Sequence, residues 1–471
     1  LKKDQNGTYY YAIKELSVPA HYTLTATNWP SHDWPLGNVV NTLQESYLQI
    51  HKGSALPNIT NGNRMYSLEG AQYTVYNSQA DAANNQNGVA VLTTNAAGDS
   101  QTVQLFPQTY YIKETKTPPG YAMDPTIYPV TLSVNHTANS PYRLNVADKP
   151  EFDPNGIEIT KIWDGPETAS IPTLEGTLFR INYFDQTGMT KQQAATQQPT
   201  KTWVLEVKYN ENTNKYITLL TDDYLVKDVT LNNGTRIVSD DFYRNENGMP
   251  CLPLGTYTIQ EIQPAAGYTL DGYLKDEKGQ IISTDSEIYM TEVQTRGNMT
   301  QMLGGNRYSG ENTPITGSIT LKKVDSDGRS PLEGATFRCE GQTVQDVYTA
   351  TTDANGEIVF DNLYPDIYTI TEIGTVDGHE ILTEPLVVEV PMRVTDDYIN
   401  EYNVDKNSVI YDPADDIFYI RDFTYEISNH ISLEMPIAGG FTGWKVFLPL
   451  AGGLVLLGGL GLYVGRKRKT S

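Results

Sequence analysis

Cysteine is nearly absent from this chain: there are two in 471 residues, Cys251 and Cys339. They fall in different repeats of the pattern described below, so a disulfide framework is excluded as the source of rigidity. Basic charge is scarce too, with 34 Lys plus Arg against 57 Asp plus Glu and a net charge of -23. The charges are scattered rather than blocked, and such a surface repels nucleic acid. Six histidines show no metal-ligand spacing, so no metal site is expected, and no cofactor motif occurs. Asp325-Ser326-Asp327-Gly328 has the start of a calcium loop without the rest, and reads as a solvated turn. Upstream of residue 440 no long stretch carries a helical apolar period, which argues against a helix bundle. No secretory apolar segment precedes the first pattern, so the natural N-terminus is expected to be missing. Nothing resembles a catalytic centre for an external substrate, and an enzyme in the ordinary sense is not expected.

What the chain does contain is a strand pattern, Tyr-x-Ile-x-Glu, used four times: Tyr11-Ile13-Glu15, Tyr110-Ile112-Glu114, Tyr257-Ile259-Glu261 and Tyr368-Ile370-Glu372. Alternate side chains of a strand share a face, so the ring, the aliphatic side chain and the carboxylate point the same way. Most of the intervening residues are polar, which makes the glutamate face the buried one. A buried carboxylate must take up a proton or find a partner.

The pattern sits within three complete repeats, near 46–150, 151–315 and 316–432, preceded by the end of another at 1–45, where Asn41 closes a short apolar stretch. Each complete repeat opens on an apolar-x-apolar-x-Lys strand: Leu48-Ile50-Lys52, Ile157-Ile159-Lys161 and Ile319-Leu321-Lys323. Alternation buries these lysines and leaves Lys322 facing water. Leu-Glu-Gly follows, with an aromatic three positions on, at Tyr73, Phe179 and Phe337. Asn247-Gly248 and Asn355-Gly356 mark tight hairpins. Each repeat closes on a strand that ends in a carboxylate or carboxamide: Asp148, Asn312 and Asn429. Many short strands with regular turn signals predict an all-β chain of antiparallel sandwiches, the middle one enlarged by extra hairpins or loops.

The end of the chain carries a different signal. Residues 446–465 are uncharged and mainly apolar, long enough for one transmembrane helix, and Arg466-Lys467-Arg468-Lys469 follows, which keeps that end in the cytoplasm. Just before the span, Met435-Pro436-Ile437-Ala438-Gly439 resembles the Leu-Pro-x-Thr-Gly sorting signal of Gram-positive surface proteins, with Met in place of Leu and Ala in place of Thr. The resemblance implies cleavage by a sortase between Ala438 and Gly439 and transfer to peptidoglycan. A permanent membrane anchor is the plain alternative for residues 433–471.

Lysine on the first strand, glutamate on a central one and Asn or Asp on the last thus meet on inward faces. Burial lowers a lysine pKa and frees a nucleophilic amine. Burial raises a glutamate pKa, so the acid can hydrogen-bond the carbonyl of Asn or Asp and prepare it for attack. The product is an amide between side chains, with loss of ammonia from Asn or water from Asp. A buried ion pair with a hydrogen-bonded Asn is the bland alternative, and three instances at corresponding places weigh against it. Together the Lys-Val-Asp opening, Leu-Glu-Gly-Ala-x-Phe, Thr-Asp-Ala-Asn-Gly, Tyr-x-Ile-x-Glu and the closing Asn resemble the SpaA-like, or CnaB-type, domains of Gram-positive pilins and adhesins. That resemblance implies prealbumin-like, immunoglobulin-like sandwiches with self-formed isopeptide bonds: Lys52 to Asp148 with Glu114, Lys161 to Asn312 with Glu261, and Lys323 to Asn429 with Glu372. It also implies a cell-wall-anchored stalk, adhesin or pilin, with sortase and peptidoglycan as partners, other pilins as further ones, and a surface or host ligand bound elsewhere. The family's Tyr-Pro-Lys pilin motif does not occur in the chain, which favours a stalk or a terminal or basal pilin over a shaft subunit.

Overall fold

The computed structural model describes residues 2–3, 5–7, 9–10, 15–28, 38–163, 173–231, 233–325, 329–344, 346–376, 379–412 and 416–428. The chain divides into two compact units. One comprises Leu1–Phe152 with Tyr243–Met249 and Thr295–Thr300; the other comprises Asp153–Phe242, Pro250–Gln294 and Gln301–Ser471. Strands dominate both. The described α-helices are single turns of four to six residues, such as Gln79–Asn84 and Asp396–Glu401. No described helix is long and apolar enough to cross a membrane. Residues 446–465 and Met435 to Gly439 lie outside the described residues, as does Asn429.

In the first unit, strands β1 (Tyr22–Asn28) and β2 (Asn38–Leu43) form an antiparallel hairpin. A sandwich follows, built from β3 (Ser46–Ser54), β4 (Gln72–Tyr76), β5 (Thr109–Lys116) and β6 (Tyr142–Asp148), with three further strands. One sheet runs β6, β3, Val103–Leu105; the other runs Ile127–Thr131, β5, β4, Gly88–Thr93. Leu48, Ile50, Tyr73, Val75, Tyr110, Ile112 and Val146 fill the space between the sheets. Each such side chain contributes about 1.5–3 kcal/mol by leaving water.

The second unit holds two sandwiches. In the larger, β7 (Glu158–Ile162) and β10 (Arg307–Glu311) are central neighbours in a six-stranded sheet. Its facing six-stranded sheet is centred on β8 (Leu178–Phe184) and β9 (Gly255–Gln263). The extra length expected in this repeat forms added strands, including the hairpin of Asp228–Thr230 with Arg236–Val238. In the smaller sandwich, β11 (Gly317–Val324) pairs with β14 (Asp422–Ser428), facing a sheet that contains β12 (Thr336–Gly341) and β13 (Asp366–Gly374).

One feature departs from the sequence reading. The sandwiches are not purely antiparallel: β3 with β6, β7 with β10 and β11 with β14 pair parallel. Turn signals fix the direction of strands joined by a hairpin, but the first and last strands share no turn. Their direction is set by where the whole chain ends, which no local pattern records.

Two turns pack directly on the lysine strands. The Asn95 side chain accepts from Ala97 N at 2.9 Å and Asp99 N at 3.1 Å, and Asp353 accepts from Asn355 N at 2.8 Å and Glu357 N at 2.9 Å. Each turn ends in a glycine at positive φ, Gly98 at 81° and Gly356 at 72°. A Cβ there would lie 2.1 Å from the Lys52 carbonyl oxygen or 2.3 Å from that of Lys323. The same glycines accept from the lysine amides, Lys52 N to Gly98 O at 2.8 Å and Lys323 N to Gly356 O at 2.7 Å. Only a residue without a side chain both turns left-handed and comes this close.

Candidate functional site

Alternation along β3, β7 and β11 carries Lys52, Lys161 and Lys323 into the sandwich interiors, where they are 0%, 3% and 1% exposed. Each amine crosses the core to the glutamate of the opposite sheet. Lys52 Nζ donates to Glu114 Oε1 at 3.0 Å, Lys161 Nζ to Glu261 Oε2 at 2.8 Å and Lys323 Nζ to Glu372 Oε2 at 3.1 Å. Lys322 points outward, as alternation predicts, and meets Glu357 at 2.7 Å on the surface.

The closing residues obey a register rule. Lys52 is opposite Val146, Lys161 opposite Gly310 and Lys323 opposite Ile427. Asp148 and Asn312 each come two positions beyond that partner, where alternation returns to the lysine's side. Asp148 contacts the Lys52 amine, and the Asn312 carboxamide lies within hydrogen-bonding reach of Glu261. The parallel pairing thus brings Lys52, Glu114 and Asp148 together, and likewise Lys161, Glu261 and Asn312. For the third site the structure shows Lys323 with Glu372.

Burial sets the electrostatics. It drives the Glu114 pKa up to about 7, against the lowering effects of the Asp124 amide and Lys52. Burial also raises the Glu261 pKa and lowers that of Lys161, each opposed by the other's charge. Asn312 Nδ2 donates to Thr269 O at 2.9 Å, while Asn312 Oδ1 and Glu261 Oε1 are buried without a donor. A shallow cavity lined by Phe179, Ile259, Glu261 and Gly272 opens on this carboxyl, which is 9% exposed, against 0% for Glu114 and Glu372.

Two further groups escaped the sequence reading. The aromatic after Leu-Glu-Gly is the cross-strand partner of the glutamate each time: Tyr73 with Glu114, Phe179 with Glu261 and Phe337 with Glu372. Its ring lies 5.4, 5.8 and 6.0 Å from the respective amine, close enough for cation–π attraction. The spacing was visible in the motif; the register that gives it meaning was not. In addition, the backbone amide ten residues after the acid donates to it, Asp124 N to Glu114 Oε2 at 2.9 Å and Leu382 N to Glu372 Oε2 at 2.8 Å. No residue type marks that contact. Cys251 and Cys339 are both buried. Among the described residues no cluster of side chains could hold a metal ion.

Residues 59–144 and 317–406 match the family described as SpaA, prealbumin-like fold domain. No curated protein matches the chain. Among solved structures, the Bacillus anthracis TIE protein is 18% identical with a TM-score of 0.38, over 78% of this chain and 55% of that one. The chain therefore spans little more than half the length of that protein. BcpA, the major pilin subunit of Bacillus cereus, is 15% identical with a TM-score of 0.26, over 84% and 100%. SpaD, the full-length major pilin of Corynebacterium diphtheriae, is 14% identical with a TM-score of 0.21, over 84% and 98%. At these scores the structural likenesses carry no argument about function.

Proposed function

We propose, from the premise that two stretches of this chain are SpaA-type prealbumin-like domains, that it is a surface stalk or pilin of a Gram-positive bacterium. In this reading, amide bonds between side chains lock its sandwiches. The supporting observation is the repeated placement of a buried lysine against a buried glutamate. Where the closing residue is described, it stands two positions past the lysine's parallel partner.

In the reaction, the neutral Lys161 amine attacks Cγ of Asn312, whose carbonyl the protonated Glu261 polarises. The C–N bond to Nδ2 breaks, and Glu261 passes a proton from the attacking nitrogen to the departing ammonia. Low dielectric prepares the reactants, because it favours the uncharged amine and the protonated acid. Lys52 and Asp148 react likewise with loss of water, assisted by Glu114. Lys323, Glu372 and Asn429 make the third site. Each event happens once per molecule, during maturation, and needs no cofactor. Modules with limits near 46–150, 151–315 and 316–432 would each carry one link. Met435 to Gly439 would serve as the sorting signal, and residues 446–465 as the span that holds the precursor for sortase and peptidoglycan attachment.

The test is the intact mass of the purified chain. It is expected to fall below the sum of its residues by two ammonias and one water, with peptides joining Lys52 to Asp148, Lys161 to Asn312 and Lys323 to Asn429. A mass equal to the sum would refute the proposal. A ladder of wall-released species on a denaturing gel would identify a polymerised pilin, and a single band a monomeric stalk.

A further inference from the structure

The three sites differ in one atom beside the amine. Where the second and third complete repeats carry Phe179 and Phe337, the first carries Tyr73. Tyr73 is fully buried between the sheets of its sandwich, and its hydroxyl oxygen accepts from Lys52 Nζ at 3.0 Å. Glu114 Oε1 accepts from the same nitrogen at 3.0 Å, and Asp148 is in contact with it. Lys52 Nζ thus has three oxygen neighbours, as many as the bonding directions its own Cε leaves free. A phenylalanine ring brings no oxygen to the corresponding place.

At the first site alone, the closing residue is a carboxyl rather than a carboxamide. Attack there needs the neutral amine beside the protonated acid. In that form the nitrogen holds two hydrogens and one lone pair. With one hydrogen on Glu114 Oε1 and the other on the Tyr73 oxygen, the direction left for the lone pair is the one toward Asp148. Burial, reinforced by the charges of Asp148 and Glu114, holds the Tyr73 pKa well above its ordinary value, so the hydroxyl keeps its own proton. It accepts as a neutral group, whereas a phenolate would pin the amine in its ammonium form.

We propose that Tyr73 is a further catalytic residue of the Lys52 site, whose hydroxyl accepts one amine hydrogen and so aims the nitrogen at Cγ of Asp148. The Nζ–Cγ bond forms and the bond from Cγ to the acid's hydroxyl breaks. The surplus amine proton, relayed through Glu114, leaves with that hydroxyl as water, and Tyr73 ends unchanged. This rests on the function proposed above and adds a group that the two asparagine sites do without.

The test makes the full chain by cell-free translation, quenches it at intervals and reads the links by intact mass and peptide map. Tyr73→Phe gives the first sandwich the ring that the other two already carry beside the glutamate, so the fold should be kept. The link from Lys52 to Asp148 is expected to form ~10-fold more slowly, the scale of one hydrogen bond to the nitrogen. The link from Lys161 to Asn312 in the same molecules should keep its rate. A purely structural role is read separately, in a Lys52→Met background where the first link cannot form. There Tyr73→Phe is expected to leave the melting temperature unchanged or raise it, since the buried hydroxyl has lost its partner. Equal rates for wild type and Tyr73→Phe would overturn this inference alone, as would a melting temperature lowered by Tyr73→Phe in the Lys52→Met background. A wild-type chain that never joins Lys52 to Asp148 would overturn it together with the function proposed for that site.

Discussion

Replacing Glu261 with Gln is the sharpest perturbation of the proposed chemistry. The substitution keeps the volume of the side chain and a carbonyl to accept from Lys161, so the larger sandwich should still fold. It removes the acid that moves the proton, so the bond from Lys161 to Asn312 should not form. A link closing a loop of about 150 residues restricts the unfolded chain by ~5 kcal/mol on the chain-entropy estimate. For a module of this size each kcal/mol moves the melting temperature by roughly 2–4 °C, so a loss of about 10–20 °C is expected. Two assays read this independently. The intact mass of Glu261→Gln, measured against its own sequence, should show one ammonia deficit fewer than wild type. Melting followed through Trp203, fully buried in that sandwich and 5.7 Å from the Phe242 ring, should shift downward, while the other two links persist in peptide maps. An unchanged deficit would show that Glu261 is not needed. A lost deficit with an unchanged melting temperature would refute the stabilising role of the link.

The site at Glu114 gives a pH prediction. Its pKa, raised to about 7 by burial, means that the acid form needed for reaction is lost above that pH. The fraction of folded, unlinked chain that carries this proton should fall about tenfold per pH unit above 7; a Glu114 carboxyl signal that titrates in the ordinary carboxylate range would contradict the assignment. The linkage sign agrees: the folded, unlinked chain binds this proton more tightly than the unfolded one. Its stability should therefore decline from the ordinary carboxylate range up to about pH 7, as denaturant titrations of refolding intermediates can show. Lys323→Met should abolish the third link, whereas Lys322→Met should leave it intact and cost less than ~1 kcal/mol, because the surface pair with Glu357 is worth little. Peptide maps and melts of the two variants decide it. Gly356→Ala should destabilise the smaller sandwich by at least ~2 kcal/mol, since a side chain at positive φ is strained and its Cβ collides with the Lys323 carbonyl; a melting temperature within a degree of wild type would rule out that tight approach.

Much of the site could be read from alternation alone. A strand has only two faces, so apolar neighbours at every second position fix where Lys52, Lys161, Lys323, Glu114, Glu261 and Glu372 point. Nothing in the same reading gave the parallel direction of β3 with β6, because those strands are joined through the rest of the sandwich rather than by a turn. The two-residue offset between lysine and closing residue was hidden for the same reason. The rings of Tyr73, Phe179 and Phe337 form a visible sequence motif, but their purpose follows only from the cross-strand register that sets them beside the acids. Asn41 reads in the sequence only as the end of an apolar stretch, since its hydrogen-bond partner Glu15 is distant along the chain and no alternation links the two.

The parallel pairing of opening and closing strands has a mechanical corollary. In each sandwich the opening and closing strands run the same way, and the proposed bond would tie them near the closing strand's end. Tension along the backbone would then travel down the opening strand, cross at the lysine and depart, without passing through the strands in between. Those intervening residues would be spared the load, and so free to lengthen or diverge. The larger sandwich, with its added hairpin between Lys161 and Glu261, shows how much extra chain such a shielded interval can hold.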